Sequence, residues 1–466
     1  MKIRNFLFIL LFLGSTAASA QMVRSPSAFR ALQTAATLME AKQFYAAEDY
    51  YKTGLNKAKQ NRDRYCEALA NEGLGNLYSK LEQPEKAIEY YKTAIKLYKS
   101  QNLYVVVAVL ENLLKSVQGI GDVYAGIEVG AKGIKLSVIN VKLSMDREYG
   151  YTLLMDTSVV TDAASLTYQS ERESMDAIAT LLGVVKNRFK IPSNKVNIVI
   201  ASGLTQELER YNKVAYFANI IRPKGMDTTI KIASVSPIEE AELSVLGIVP
   251  EKHRFSAGQL DVGSGNTKGG FFNSNRNFIP FTYPLGTKSF QRSIESHGGS
   301  SYLSISTIAE QLWSDSLSKS IVTEFTEKSE MKQKDIVYLS GGIVWSVVSL
   351  LHPESTNTNF TEVSARDIAD FRQRIVSNFD EVTKPNLSYI IKPEEKAAAE
   401  KNISRVLKTY DQKAMTAGAV WLNHLVNEMT TLNPSKKFIY FRYAYVGWIS
   451  GYIIKKVTNQ FVKASK

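Results

Sequence analysis

The sequence predicts an α/β chain in which an all-α module of helical repeats precedes a larger region of alternating strands and helices. Two observations carry this. Residues 68–101 keep small and aromatic side chains at helical-repeat spacing. Beyond the stretch Gln118-Gly119-Ile120-Gly121-Asp122, the pattern switches to β-branched runs broken by glycine turns. The chain has 466 residues, 44% hydrophobic and 22% charged, which suits roughly three domain-sized units with real cores. Its 12 prolines and 27 glycines exclude collagen-like or Pro/Gly-rich low complexity. One cysteine, Cys66, excludes a disulfide framework, and His253, His297, His352 and His424 lack ligand spacing, so zinc is not expected. Lys and Arg number 57 against 45 Asp and Glu, a net charge of +12 that suggests an anionic partner. No basic segment is interleaved with aromatics, so nucleic acid is not the expected one.

Residues 1–20 read as a secretory signal peptide. Lys2 and Arg4 precede the apolar run Phe6–Leu13, and Ala17-Ala18-Ser19-Ala20 supplies an Ala-x-Ala site with cleavage before Gln21. The run is far shorter than the roughly 20 residues a bilayer span needs. The alternative is an uncleaved N-terminal anchor. No later run is long and charge-free enough to span; the best, Tyr104–Leu110, stops at Glu111. The expectation is therefore an exported protein without a membrane span, periplasmic if the source is Gram-negative.

Residues 24–118 form the helical module. Leu74, Gly75, Tyr78, Ala87, Tyr91 and Ala94 fall on the consensus positions of a tetratricopeptide (TPR) unit. Small Gly75 and Ala87 let two antiparallel helices approach, and Tyr78 and Tyr91 fill the space between turns. Ala47, Tyr51 and Gly54 form an earlier copy forty residues upstream. That implies about six residues inserted into the unit. A further helix near Leu103–Val117 caps the stack. The concave face of such a module usually holds a protein segment; the alternative is a plain helical bundle.

Three glycine turns organise the rest. The first is Glu128-Val-Gly130-Ala-Lys132-Gly133, read as a β-hairpin. The second, Asp261-Val-Gly263-Ser-Gly265-Asn266-Thr267-Lys268, is again strand, turn and strand. The third, Ser340-Gly341-Gly342-Ile343, joins a strand to a helix.

In this order the turns resemble the phosphate-1, phosphate-2 and adenosine motifs of the actin-like ATPase superfamily. Its fold has two RNase-H-like halves, whose glycine turns bring backbone amides up to phosphate oxygens. Ser236-Pro237-Ile238-Glu239-Glu240-Ala241, Pro284-Leu285-Gly286, Met415-Thr-Ala-Gly418 and Gly447-Trp-Ile-Ser-Gly451 resemble segments of one branch. That branch is the exopolyphosphatase and guanosine-pentaphosphate phosphatase (Ppx/GppA) family. The expected domains are a first actin-like half over 122–256 and a second over 257–466.

The resemblance implies roles. Glu240 is the candidate catalytic base that activates water, while Glu239 is explained by a capping box with Ser236. Asp261 and Glu128 are the candidate Mg²⁺ ligands. Gly130, Lys132, Gly133, Gly263, Gly265, Asn266, Thr267, Lys268, Gly341 and Gly342 are the candidate phosphate contacts. Each acid also has a plainer reading: Glu240 as a first-turn acid favoured by the helix dipole, Asp261 as a strand-end residue bonding its own turn.

Departures from the family pattern are concentrated at the same places. The phosphate-1 acid is Glu128 where Asp is usual, an expected Arg falls on Thr205, and Lys268 stands where the family has an acid. Two like unit charges about 4 Å apart repel by roughly 4 kcal/mol at an effective dielectric of 20. Lys268 is thus expected to weaken Mg²⁺ binding and favour a bare anion. Two functions follow. One is an exported, Mg-dependent, exopolyphosphatase-like hydrolase of phosphoanhydride bonds. The other is an inactive pseudoenzyme scaffold, gripping a partner protein through its TPR repeats and an anion such as polyphosphate in its cleft. An ATP-driven kinase is a distant third.

Overall fold

A computed structural model describes residues 25–118, 121–143 and 149–464. The expected leader and cleavage site lie outside these residues. The chain divides into two compact units. One comprises residues up to Val123 together with Asn140–Thr152 and Thr458–Lys466; the other comprises Tyr124–Ile139 and Leu153–Val457.

The first unit begins with five antiparallel-linked helices, α1 (Pro26–Glu40), α2 (Phe44–Gln60), α3 (Arg64–Lys80), α4 (Pro84–Lys99) and α5 (Tyr104–Val117). Every turn between them places a residue in the left-handed region: Lys42, Arg62, Glu82 and Asn102, with φ between 51° and 61°. These residues recur every twenty positions, so the helical hairpin repeats every forty. The residues inserted relative to the usual unit therefore lengthen helices and leave the turns alike. Small-to-large packing follows the sequence expectation. A Cβ on Gly75 would lie 2.7 Å from the Tyr91 ring. The tyrosine hydroxyls reach polar partners, Tyr78 to Glu48 at 2.7 Å and Tyr98 to Glu72 at 2.8 Å. This lets large rings enter the core without orphaned hydroxyls. Asp63 ties the stack together, capping α3 through the Cys66 amide (3.0 Å) and accepting from the Ser25 amide before α1 (2.8 Å).

The strands form two sheets with matching topology. The first has β1 (Asp122–Gly130), β2 (Gly133–Leu143), β3 (Tyr149–Val160), β4 (Val196–Ile200) and β5 (Ile232–Ser234) in the order β3-β2-β1-β4-β5. The second has β6 (Ala257–Val262), β7 (Thr267–Phe272), β8 (Phe278–Tyr283), β9 (Ile336–Ser340), β10 (Phe360–Glu362) and β11 (Lys437–Phe441) in the order β10-β11-β9-β6-β7-β8. In each, the leading strand of a three-strand run has a parallel strand on its other side, β4 beside β1 and β9 beside β6, and then a further parallel strand. The order β3-β2-β1-β4-β5 thus reappears as β8-β7-β6-β9-β11. This repetition is the two-halved actin-like arrangement anticipated from the glycine turns.

Four helices position the site: α6 (Ser202–Arg210) after β4, α7 (Pro237–Ile248) after β5, α8 (Gly342–Leu351) after β9, and α9 (Pro393–Thr409). Helix α10 (Gln412–Leu432) fills the second sheet's core, with Trp421 1% exposed. The last helix, α11 (Gly447–Ala464), crosses α7 at backbone contact. A Cβ on Gly247 would meet the Gly447 carbonyl oxygen, and one on Gly451 the Leu243 carbonyl oxygen. Gly126 of β1 is covered by the Ile449 side chain of the same helix. Among the described residues no helix is long and apolar enough to cross a membrane.

Two outcomes are expected. Gly247→Ala or Gly451→Ala should destabilise by about 1–3 kcal/mol, because the obstacle is backbone and cannot rotate away; denaturant unfolding measures it. Cys66 is fully buried, and burial pushes its thiol up to about 12. It should stay unlabelled by a thiol reagent at pH 8 in the native protein and react once the chain is denatured.

Candidate functional site

The site is a cleft of about 670 Å³ whose lining includes Glu128, Lys135, Asp156, Glu240, Asp261, Lys268, Gly341, Gly342, Trp345, Arg405, Arg442 and Trp448. Six of the residues singled out in the sequence therefore share one cavity: Glu128, Glu240, Asp261, Lys268, Gly341 and Gly342.

Strand register places the floor. Asp261 on β6 lies directly opposite Lys268 on β7 and, on its other side, beside Ser340 of β9. The Ser340 hydroxyl donates to Asp261 Oδ1 at 2.7 Å. Helix α7 starts as its sequence dictates: Ser236 caps the Glu239 amide, and Glu239 returns to the Ser236 amide at 2.8 Å. That fixes Glu239 at the helix start and turns Glu240 inward, 4% exposed. There Glu240 Oε1 accepts from Lys268 Nζ at 2.5 Å, and Oε2 accepts from the Ser202 amide at the start of α6 at 2.7 Å. Glu128 on β1 is 7% exposed. Its Oε1 lies 3.2 Å from Lys135 Nζ, while Oε2 is buried without a hydrogen-bond partner.

The titrations follow from this pairing. Burial pushes Glu240 up, but the Lys268 charge and hydrogen bond and the Ser202 amide outweigh it, leaving the carboxyl below its ordinary value. For Asp261, burial wins over Lys268 and Ser340, and the carboxyl lies above the usual range. Burial lowers Lys268, yet Glu240 and Asp261 more than compensate and hold it charged. Glu128 does the same for Lys135.

The other predicted contacts lie elsewhere. Lys132 sits on the exposed β1–β2 turn and pairs with Asp162 at 2.6 Å. Gly130 and Gly133 flank it outside the cavity lining. Thr267 is fully buried: its hydroxyl donates to the Leu285 carbonyl at 2.7 Å and accepts from Trp421 Nε1 at 2.8 Å, so it is a core residue. Gly263 closes the β6–β7 turn by donating to the Asn266 carbonyl at 3.0 Å, and Gly265 faces open space. Gly341 has φ 101° and runs against the Val262 backbone. The space above Gly342 is taken by the Tyr410 hydroxyl, which also reaches Ser264 Oγ at 3.1 Å. These glycines thus serve packing within the chain as well as facing the cleft.

Lys135, Asp156, Trp345, Arg405 and Arg442 were not singled out from sequence. Lys135 carried a readable signal, since it is the one charged residue in the run Ile134–Val141 of β2. The arginines carried none. Each lies over a ring, Arg405 over Trp345 at 5.5 Å and Arg442 over Tyr443 at 5.2 Å.

The residues do not fit a divalent metal. Among the described residues no three His, Cys, Asp or Glu side chains gather as a metal ligand set. The two proposed ligands each have a lysine ammonium group at hand, Glu128 directly and Asp261 by cross-strand register.

Two sheets of repeated topology with this cleft define an actin-like fold carrying an N-terminal helical module. Comparison with known proteins agrees. A tetratricopeptide repeat model matches residues 27–100. The crystal structure of the Aquifex aeolicus member of the Ppx/GppA family is 14% identical and aligns over 73% of this chain and 98% of its own, with TM-score 0.50. An exopolyphosphatase from Cytophaga hutchinsonii is 12% identical and aligns over 72% of this chain and 98% of its own, with TM-score 0.46. No curated protein matches the sequence.

A double-mutant cycle tests the pairing. Lys268→Met or Glu240→Gln alone leaves a buried charge without its partner and should cost about 3–5 kcal/mol. The double substitution should cost clearly less than the sum of the two, as read from chemical denaturation.

Proposed function

We propose that this protein is an exported adaptor: a tetratricopeptide module that holds a partner protein, joined to an actin-like phosphatase scaffold that does not turn over. The observation that carries this is the state of Glu240. A general base needs a free oxygen within reach of water and a pKa near the working pH. Here one oxygen is bonded to Lys268 and the other to the Ser202 amide, and the carboxyl is held below its ordinary value. Among the described residues no ligand set gathers to hold the metal that phosphoanhydride cleavage ordinarily uses to neutralise developing charge. The leader read from Lys2 to Ala20 supports export to the periplasm, where nucleotide is scarce.

A second reading, a polyphosphate-type hydrolase, is favoured by one fact: Glu240 and Asp261 line the same cleft. The experiment that separates them is phosphate release from polyphosphate with Mg²⁺ across pH. The adaptor reading expects the wild type to match both a protein-free blank and Glu240→Gln. Release well above both establishes the hydrolase.

A further inference from the structure

The cleft's more exposed wall differs from its floor. On the floor each lysine has a carboxylate, Lys268 with Glu240 and Lys135 with Glu128. On the wall, among the described residues, neither Arg405 nor Arg442 pairs with an acid. Arg405 lies over the Trp345 ring at 5.5 Å. Arg442 lies over the Tyr443 ring at 5.2 Å and donates to Asn357 Oδ1 at 3.3 Å. A ring face orients a planar guanidinium and leaves N–H groups on its edge for a ligand. Local structure brings the two arginines to one place. Asn402 and Arg405 share a face of α9. The Arg442 amide extends the ladder past β11 by donating to the Asn359 carbonyl at 3.0 Å, so Arg442 keeps the face of Tyr440. Both guanidinium charges act on the Tyr440 hydroxyl, which lines the cleft and forms no hydrogen bond with the described residues. We propose that this wall binds a sugar carboxylate, its acid group on Arg405, Arg442 and Tyr440 and its ring against Trp345 and Tyr443.

Charge selects the acid group. Away from the floor, the ionisable lining is Arg405 and Arg442 against Asp156. The surplus is one positive charge, which matches a single carboxylate and falls short of a polyphosphate chain. The guanidinium fork also fits the edge of a carboxylate through two parallel hydrogen bonds. Rings and polar groups together select the body of the ligand. A pyranose presents C–H groups on its faces, which pack on aromatic rings, and hydroxyls around its edge. Asp156 and Asn402 line the same cleft and supply partners for hydroxyls. A flat aromatic acid would fill the space and take water from those polar groups without bonding them, which is costly. The volume of about 670 Å³ is that of a small-molecule site.

D-Glucuronate is the probe, titrated calorimetrically into the mature chain beside D-glucose, 4-hydroxybenzoate and tripolyphosphate. Fluorescence of Trp345 reports contact, with Trp345→Phe as its blank. Glucuronate should bind one to one, at least about tenfold more tightly than each comparator. Arg405→Met and Arg442→Met should each weaken it about tenfold or more. Arg405→Lys should recover only part of the loss, because an ammonium group lacks the fork. Thermal melting checks each variant. Where a Met variant melts low, Tyr440→Phe removes one hydroxyl and no charge, and should weaken glucuronate while leaving glucose unchanged. The inference is overturned if the wild type does not bind glucuronate, or if binding survives both arginine substitutions. Tighter binding of 4-hydroxybenzoate makes this a site for aromatic acids, and tighter tripolyphosphate makes it a polyanion site; either result also overturns it. The site goes beyond the adaptor reading and fails apart from it. Phosphate release from polyphosphate sinks only the adaptor, and absent glucuronate binding sinks only this site.

Discussion

The buried pair between Lys268 and Glu240 is the interaction on which the cleft depends. It joins β7 of the second sheet to helix α7, which follows the last strand of the first. Neither partner could be elsewhere. Lys268 is opposite Asp261 by strand register, and a slip of one residue would turn it to the other face. Glu240 faces inward because the capping box holds Glu239 and Ser236 at the helix start. Such a pair contributes little net stability, since desolvation offsets the attraction. Its effect is on arrangement: with Ser202 and Asp261 it fixes which polar groups face the cavity and how their charge cancels.

That arrangement is held from behind by glycine. Helices α7 and α11 touch backbone to backbone at Gly247, Gly447 and Gly451, and α11 also covers Gly126 of β1. The same short segment, 447–451, therefore backs both α7, which carries Glu240, and β1, which carries Glu128. The Gly-Trp-Ile-Ser-Gly element has a glycine at each end of this contact. Close packing explains this: a Cβ there separates the helices, whereas a changed side chain between them does not.

What was legible in the sequence follows from how local each signal is. The glycine turns, the capping box and the helical repeats are read within a few residues, and each appears where its pattern placed it. The forty-residue helical period was visible in Ala47 and Ala87, Tyr51 and Tyr91. Its cause was not, because turns that use Lys42, Arg62 and Glu82 in the left-handed region carry no glycine to mark them. Site residues divide the same way. Asp261 and Glu240 were found by motif. Thr267 followed the motif into the core, because alternation along β7 turns it toward Trp421 while Lys268 faces the cleft. Arg405 comes from α9 and Arg442 directly follows β11, neither within a motif, and only the fold gathers them.

Charge changes meaning most between sequence and fold. The net +12 and the lysines at 132 and 268 suggested a phosphate-shaped cleft that had gained positive charge. Lys132 instead pairs with Asp162 on an exposed turn, and Lys268 meets Glu240 and Asp261 inside. The ionisable lining comprises Glu128, Asp156, Glu240 and Asp261 against Lys135, Lys268, Arg405 and Arg442, an even balance. The basic excess therefore lies outside the cleft. Within it, acids are balanced by the chain's own lysines, Glu240 by Lys268 and Glu128 by Lys135. The charge inside the cleft is thus set by side chains that are covalently part of the protein, held in register by β6, β7 and the start of α7.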